Sequence, residues 1–148
     1  MDSDDIETVI EIAASPEAVW RVMTDTALVW RWMGGFGFRP RVGHTFVMQP
    51  SRRRREAGDL TDAIPCRLEV LDPRRRLRFS WTYPGRPPTD VAIALTPIPG
   101  GVHVRLTHSG WDAFEAELEP AEVELAMLAI GEAWANEALP ALKTLAEG

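Results

Sequence analysis

Three histidines, one cysteine and one tyrosine are the side chains of this 148-residue sequence that could carry chemistry. His44, His103 and His108 do not have the spacing of metal ligands, and Cys66 has no second cysteine with which to share a metal or a disulfide. The sequence has no glycine-rich phosphate loop and no nucleophile elbow. We therefore predict no metal site and no cofactor.

Two of these side chains, His108 and Tyr83, are candidates for acid–base catalysis. His108 has the same parity as Val104 and Leu106 in a predicted strand, so its side chain is expected to point inward at the strand end. An inward histidine can bind a ligand or act as a general base, and Tyr83 can supply a hydroxyl to the same space. The alternative is a histidine whose nitrogens are satisfied at the sheet edge, which is a structural role.

Large apolar side chains form the most informative group, since six tryptophans are the one clear excess in the composition. Their strand and helix periods direct most of them toward one interior space, where they either fill a core or line a cavity. Trp32, Phe36 and Trp111 are expected near the rim of such a cavity. The candidate ligand-binding residues are Trp32, Phe36, Phe46, Met48, Cys66, Phe79, Trp81, Tyr83, Ile93, Val104, His108, Trp111, Met127, Ile130, Gly131 and Trp134.

The C-terminal stretch 119–147 predicts one long amphipathic helix. Its apolar arc on a helical wheel comprises Val123, Met127, Ile130, Trp134, Ala138, Ala141, Leu142 and Leu145. Gly131 lies on this arc and is expected at a cavity wall beside Trp134. Pro140 has no N–H and clashes with the carbonyl four residues earlier, so it is expected to bend or break the helix.

Alternating apolar residues predict about six or seven antiparallel strands before that helix. The first is 6–12, and two short helices follow it, the first capped by Ser15 and the second by Asp25 or Thr26 and ended by Gly34. The later strands are predicted at 38–41, 44–48, 66–70, 76–83, 91–95 and 102–108, with a polar loop over 50–64. A twisted sheet of this size curls, so we expect an α+β fold in which a curved sheet wraps the long helix.

Charge and composition argue against several classes of protein. The net charge of −6 disfavours nucleic acid as the main partner, although arginines crowd between Arg39 and Arg78. No apolar run approaches the roughly 18 residues of a membrane span, and the acidic start is the reverse of a signal peptide. Cys66 cannot form an internal disulfide, which favours a cytoplasmic location. We expect one domain over residues 1–148.

Short pieces along nearly the whole chain occur in the order of a known family. They are Ile10-Glu11-Ile12 with Ala14–Trp20, Arg31-Trp32-Met33-Gly34, Arg41-Val42-Gly43, Asp72–Leu77 leading to Ser80-Trp81, Gly100-Gly101-Val102, and Leu106–Trp111. The sequence resembles START-like (SRPBCC) domains of the helix-grip fold, in the branch of the heat-shock-protein-90 ATPase activator homologues. It departs from that branch at His44, where a second glycine is frequent, and in a longer, more basic loop over 49–64.

The resemblance implies a cavity between sheet and helix, which the superfamily uses for hydrophobic small molecules, lipids and polyketides. Our first hypothesis is therefore binding of an apolar, aromatic or lipid-like molecule in that cavity, which needs roughly 300 Å³. A second is a polyketide cyclase or hydrolase that uses His108 and Tyr83. A third is a chaperone-associated protein-interaction module, monomeric or homodimeric, which predicts an exposed patch and a closed core.

Overall fold

The computed structural model describes residues 5–115 and 118–148. Its strands are β1 (Ile6–Ile12), β2 (Gly35–Phe36), β3 (Thr45–Met48), β4 (Ile64–Asp72), β5 (Arg76–Trp81), β6 (Thr89–Ile98) and β7 (Gly101–Ser109). Its helices are α1 (Pro16–Thr24), α2 (Thr26–Met33), α3 (Arg52–Glu56), α4 (Trp111–Glu115), α5 (Pro120–Ala133) and α6 (Leu139–Glu147), with a π-helical segment at Trp134–Ala138.

The strands form one antiparallel sheet in the order β1-β7-β6-β5-β4-β3-β2. Helices α1 and α2 connect the two outermost strands, and α6 packs against both of them and against β1. The predicted helix-grip architecture, a curved antiparallel sheet around the C-terminal helix, is confirmed. β4 carries a bulge between Leu68 and Val70, a feature that bends a strand and increases its twist.

The side chains on the concave face of the sheet are buried in a single core. Strand alternation explains this, because every second residue of β5, β6 and β7 points toward the C-terminal helix. Burial of each large apolar side chain contributes roughly 1.5–3 kcal/mol, so this face provides much of the stability. The members on these three strands are Leu77, Phe79, Trp81, Val91, Ile93, Leu95, Val102, Val104 and Leu106.

Both predicted short helices are confirmed with their caps. The Ser15 hydroxyl accepts from the Ala18 N–H at 3.1 Å, and the Asp25 carboxylate, rather than Thr26, caps α2. Gly34 ends α2 at φ +79°, where a Cβ would also lie 2.7 Å from the carbonyl oxygen of Gln49. The chain therefore requires glycine there for its conformation and for its space.

The prediction of a strand at 38–41 is wrong. The structure has no strand there and instead has the two-residue strand β2 at Gly35–Phe36. Pro40 has no N–H to give to a ladder, and Gly37 and Gly43 both adopt positive φ. Phe38 is nevertheless fully buried, with its ring edge-on to Phe46 at a centroid distance of 5.2 Å. An irregular segment thus supplies one of the largest core side chains.

The arginine run predicted as a loop forms the short helix α3. Ser51 caps it by accepting a hydrogen bond from the Arg54 N–H, at 3.3 Å. Four adjacent arginines have no apolar period, so the helix was not visible in the hydrophobic pattern. Two of them form ion pairs nearby, Arg52 with Glu56 at 3.2 Å and Arg54 with Asp62 at 2.9 Å.

The C-terminal helix runs from Pro120 to Glu147, but it is not a regular α-helix throughout. The predicted irregularity at Pro140 takes the form of the π-helical segment just before it, in which the Leu139 N–H bonds to the Trp134 carbonyl five residues back. The wider π turn accommodates a proline that cannot donate to the Asn136 carbonyl. No helix among the described residues is long and apolar enough to cross a membrane.

Candidate functional site

Packed aromatic rings occupy most of the space between the sheet and the C-terminal helix. Trp81 on β5 and Trp134 on the π-helical segment meet across it, with ring centroids 5.8 Å apart and ring planes tilted by 58°. Phe46 and Phe79 make an edge-on pair at 5.3 Å beside them. The candidates that the structure buries in this core are Trp32, Phe46, Met48, Cys66, Phe79, Trp81, Ile93, Val104, His108, Trp111, Ile130 and Trp134.

A narrow cavity of about 20 Å³ remains beside Trp81 and Trp134. This volume holds roughly one water molecule, which is far below the roughly 300 Å³ of a small-molecule site. Its lining consists of Met33, Met48, Pro50, Arg55, Trp81, Ile130, Ala133, Trp134, Glu137 and Ala138. Among the described residues, side chains therefore fill most of the space between the sheet and the C-terminal helix, and this small cavity lies against the π-helical segment.

Arg55 and Glu137 are the two charged residues of that lining, and no hydrophobic period in the sequence singles them out. The Arg55 guanidinium lies 3.7 Å from the Glu137 carboxylate, from Nη2 to Oε1. Its side chain is only 15% exposed, because it lies against the backbone of Gly34 at the end of α2. Burial lowers the pKa of Arg55, and the charge of Glu137 partly offsets that effect. The sequence feature that could have pointed to Arg55 is the longer, more basic loop over 49–64.

The same ion pair also lines a larger cleft on the outside of the molecule. This outer cleft has a volume of about 360 Å³ and lies between α2, α3 and the end of the C-terminal helix. Its lining residues are Trp30, Arg31, Trp32, Arg52, Arg55, Glu56, Asn136, Glu137 and Ala141. Arg55 and Glu137 are common to the two linings, so the ion pair stands between the inner cavity and the outer cleft.

His108 is fully buried, and both of its ring nitrogens have partners. Nε2 lies 2.8 Å from the hydroxyl of Thr89, and Nδ1 accepts from the indole N–H of Trp134 at 3.2 Å. The Thr89 hydroxyl donates its one proton to the Trp81 carbonyl at 3.1 Å, so it must accept from Nε2. This network assigns the neutral Nε2–H tautomer, and burial lowers the pKa of His108 to about 3.

The arrangement around His108 fits the structural alternative and does not fit a general base. The lone pair on Nδ1 is occupied by Trp134, and the ring is enclosed by Trp81 and Trp111 at centroid distances of 5.2 and 4.8 Å. A base must reach the proton that it abstracts, and His108 is not among the residues that line the cavity, because Trp81 and Trp134 lie between them. His108 therefore ties β7 to the C-terminal helix.

Tyr83 and Cys66 are also held in ways that restrict their chemistry. Tyr83 follows the end of β5, and burial raises the pKa of its hydroxyl although the Trp81 indole opposes that shift. The Trp81 N–H itself has no partner at full hydrogen-bond geometry among the described residues. Burial raises the pKa of the Cys66 thiol well above its ordinary value, so Cys66 behaves as a small buried apolar residue.

Three of the expected cavity residues, Phe36, Gly131 and Met127, lie outside the cavity lining. Phe36 pairs with Val47 in the β2–β3 ladder and is 54% exposed, because its side chain points away from the concave face, the face toward which a Cβ at the neighbouring Gly35 would point, at Phe46 and Met48. A Cβ on Gly131 would meet the Ile6 side chain at 3.6 Å, so this residue packs against β1 and does not form the cavity wall. Met127 is half-buried and is also absent from the cavity lining.

The three histidines remain dispersed in the fold. His44 bonds through Nε2 to the carbonyl of Gly37 at 2.6 Å, and His103 lies 4.0 Å from Glu11 on the outside of the sheet. Among the described residues, no group of three or more histidine, cysteine or acidic side chains is arranged to hold a metal ion.

The fold and the sequence together place the chain in a family. The model for the activator of Hsp90 ATPase homolog 1-like proteins matches residues 13–139. The chain belongs to this family. The chain thereby falls in the START-like superfamily, as its sequence motifs indicated. No curated protein matches the sequence.

Solved structures similar to this Hsp90-activator-like protein share its fold at low sequence identity. Protein MLL2253 from Mesorhizobium loti superposes with a TM-score of 0.76 at 22% identity, over 95% of each chain. The Aha1 dimer from Colwellia psychrerythraea gives 0.61 at 18% identity, over 97% of this chain and 96% of that one. DynU16, a putative protein in the dynemicin biosynthetic locus, gives 0.69 at 21% identity, over 97% of this chain and 47% of that one.

Proposed function

We propose that this protein binds an apolar, aromatic or lipid-like small molecule between the curved sheet and the C-terminal helix. The observation that carries the proposal is the small cavity beside Trp81 and Trp134, which shares its charged wall with the outer cleft. Aromatic walls with a few polar groups at one end are the usual composition of a small-molecule site.

Binding requires the inner cavity and the outer cleft to join, because about 20 Å³ holds no organic ligand. The Arg55–Glu137 pair is the barrier between them, and both are long side chains that can move without backbone change. Met33 and Met48, unbranched and polarizable, form another wall and repack easily. The π-helical segment lies at the same place, and π turns in helices are frequent at functional sites.

The experiment is a titration with decanoate and with 2-naphthamide, followed by proton–nitrogen correlation spectra of the indole N–H groups. The signals of Trp81 and Trp134 are expected to shift, since both side chains wall the cavity. Ala133→Leu fills the cavity and should abolish the shifts. Ala135→Leu, in the same helix but outside the lining, is the matched control and should preserve them. Unmoved indole signals at the solubility limit of every probe would disprove small-molecule binding here.

A second candidate function is self-association through the outer side of α5. Leu125 and Leu128 are 68% and 62% exposed and, with the exposed Ala121, form an apolar stripe at helical spacing. The similar structure from Colwellia psychrerythraea is described as a dimer. This stripe and the closed core are what the protein-interaction hypothesis predicted.

Sedimentation velocity from micromolar to millimolar concentration tests self-association. The wild type should approach the dimer mass as the concentration rises, and Leu125→Lys with Leu128→Lys should keep it monomeric. Val42→Lys, which replaces an equally exposed apolar residue elsewhere, should not change association. A wild type that stays monomeric throughout would reject this candidate and leave small-molecule binding unaffected.

A further inference from the structure

Arg55 has hydrogen-bonding capacity that its surroundings do not use. Among the described residues its guanidinium forms no hydrogen bond, whereas Arg54 of the same helix donates to the Thr61 carbonyl and to the Asp62 carboxylate. Glu137, at 3.7 Å, supplies attraction without a hydrogen bond. A guanidinium has five N–H donors, and no nitrogen of Arg55 is among the described buried atoms without a partner, so these donors are accessible from the outer cleft.

Arg55 lies beside an apolar space, so its unused hydrogen-bond donors adjoin that space. On its inner side lie the Trp81 and Trp134 rings and two methionines, and on its outer side lies the cleft. The cleft lining carries three arginines (Arg31, Arg52 and Arg55) and two glutamates (Glu56 and Glu137), so its net charge is +1. That charge matches a singly charged anion better than a dianion such as a phosphate monoester.

From this geometry we infer that Arg55 is the anchor for the carboxylate of an amphipathic ligand whose apolar part lies against Trp81 and Trp134. The inference rests on the proposed small-molecule binding and names its ligand class, a monocarboxylic acid with an alkyl chain or an aromatic ring. The carboxylate displaces Glu137 from Arg55 and accepts the two parallel N–H bonds that a guanidinium offers. Glu137 then becomes a competitor for the site, because its carboxylate occupies the place of the ligand's own.

This competition gives opposite effects for the two partners of the ion pair. Arg55→Gln removes the charge and should weaken carboxylate binding about tenfold, the usual loss for a charge-assisted hydrogen bond. Glu137→Gln removes the competitor and should tighten carboxylate binding severalfold. Arg53→Gln, an exposed arginine of α3 that lines neither space, is the matched control and should leave the dissociation constant unchanged.

The experiment compares each acid with its neutral amide by calorimetry and by the indole N–H shifts. Decanoate is measured against decanamide and 2-naphthoate against 2-naphthamide, so that the two pairs separate an alkyl from an aromatic ligand. We expect each acid to bind the wild type more tightly than its amide, and Arg55→Gln to remove that difference while amide binding persists.

Two results overturn the inference in distinguishable ways. If acids and amides bind the wild type equally and Arg55→Gln changes neither, small-molecule binding stands and the anchor is wrong. If neither acid nor amide moves the Trp81 and Trp134 signals, small-molecule binding itself fails and the anchor fails with it. A loss of acid binding in Arg53→Gln equal to that in Arg55→Gln would show general attraction to the basic helix and would also reject the anchor.

Discussion

The indole N–H of Trp134 donates to Nδ1 of His108 across the sheet–helix interface, at 3.2 Å. This bond joins the last strand to the π-helical segment and, with the Thr89 hydroxyl, determines the tautomer of the imidazole. It has two consequences for the protein. His108 stays neutral in the native state, and the part of the C-terminal helix that borders the cavity is attached to the sheet by a specific polar contact as well as by packing.

The neutral state of His108 predicts a pH-dependent stability. In the unfolded chain an imidazole binds its proton near pH 6.5, whereas in the native state the pKa of His108 is about 3. The unfolded state therefore binds more protons between these two values, and the free energy of unfolding falls as the pH drops through that window. From about pH 7.5 to about pH 4.5 this one group should cost roughly 2–3 kcal/mol.

Urea unfolding of His108→Gln at both pH values measures this contribution. The variant is expected to be less stable than the wild type at neutral pH, since it loses ring packing, yet to lose less stability on acidification. His103→Gln is the control, because that half-exposed ring lies on the outer face of the sheet. Equal pH slopes for the wild type and His108→Gln would show that His108 is protonated in the folded protein.

Gly34, which ends α2, and the nearby Gly37 allow the cost of conformational strain to be separated from the cost of steric exclusion. Gly34 and Gly37 both have positive φ, +79° and +77°, so an alanine at either should cost roughly 1–2 kcal/mol. A Cβ at Gly37 meets nothing within 4 Å, whereas one at Gly34 would lie 2.7 Å from the Gln49 carbonyl and from Arg55. Gly34→Ala should therefore lower the thermal midpoint more than Gly37→Ala, and equal losses would contradict the close approach.

The burial of Cys66 predicts a thiol that does not react in the native protein. Burial raises its pKa, so thiolate is scarce at neutral pH, and its neighbours in β3 and β5 cover it. A disulfide reagent is expected to modify Cys66 only after unfolding in guanidinium, at the rate of global unfolding. Rapid labelling of the folded protein would show that the core around β4 opens locally.

Much of the architecture followed from residue patterns alone. The strand 6–12 and the caps at Ser15 and Gly34 were predictable, because alternation and capping depend on local geometry. The segment 38–41 was wrongly predicted as a strand. Its one core side chain, Phe38, lies in an irregular segment, where alternation of apolar and polar residues does not indicate which side chains are buried. The helix at Arg52–Glu56 was missed because its residues share no apolar period.

The candidate site was predicted less completely than the fold. Inward orientation of Trp81, Trp134 and His108 followed from their parity, but parity does not determine how much volume the packed rings leave. Whether the space between the sheet and the C-terminal helix stays open depends on the side-chain rotamers and on the distance from the helix to the sheet. Both are determined by the packing of all the neighbouring residues together. The same limit applies to His108. Its inward orientation follows from the local strand alternation, but its protonation state depends on Thr89 and Trp134, which are 19 and 26 residues away.

The sequence by itself determined a helix-grip protein of the Hsp90-activator-like branch, since motif order and periodicity are properties of the chain. Only the tertiary structure decided that Arg55 meets Glu137 at the wall of a 20 Å³ cavity. These residues lie 82 positions apart, on a short arginine helix and on a π-helical segment. The arginine helix has no hydrophobic period, and Glu137 is not a member of the apolar arc of the C-terminal helix. Their meeting depends on how the C-terminal helix packs across the curved sheet.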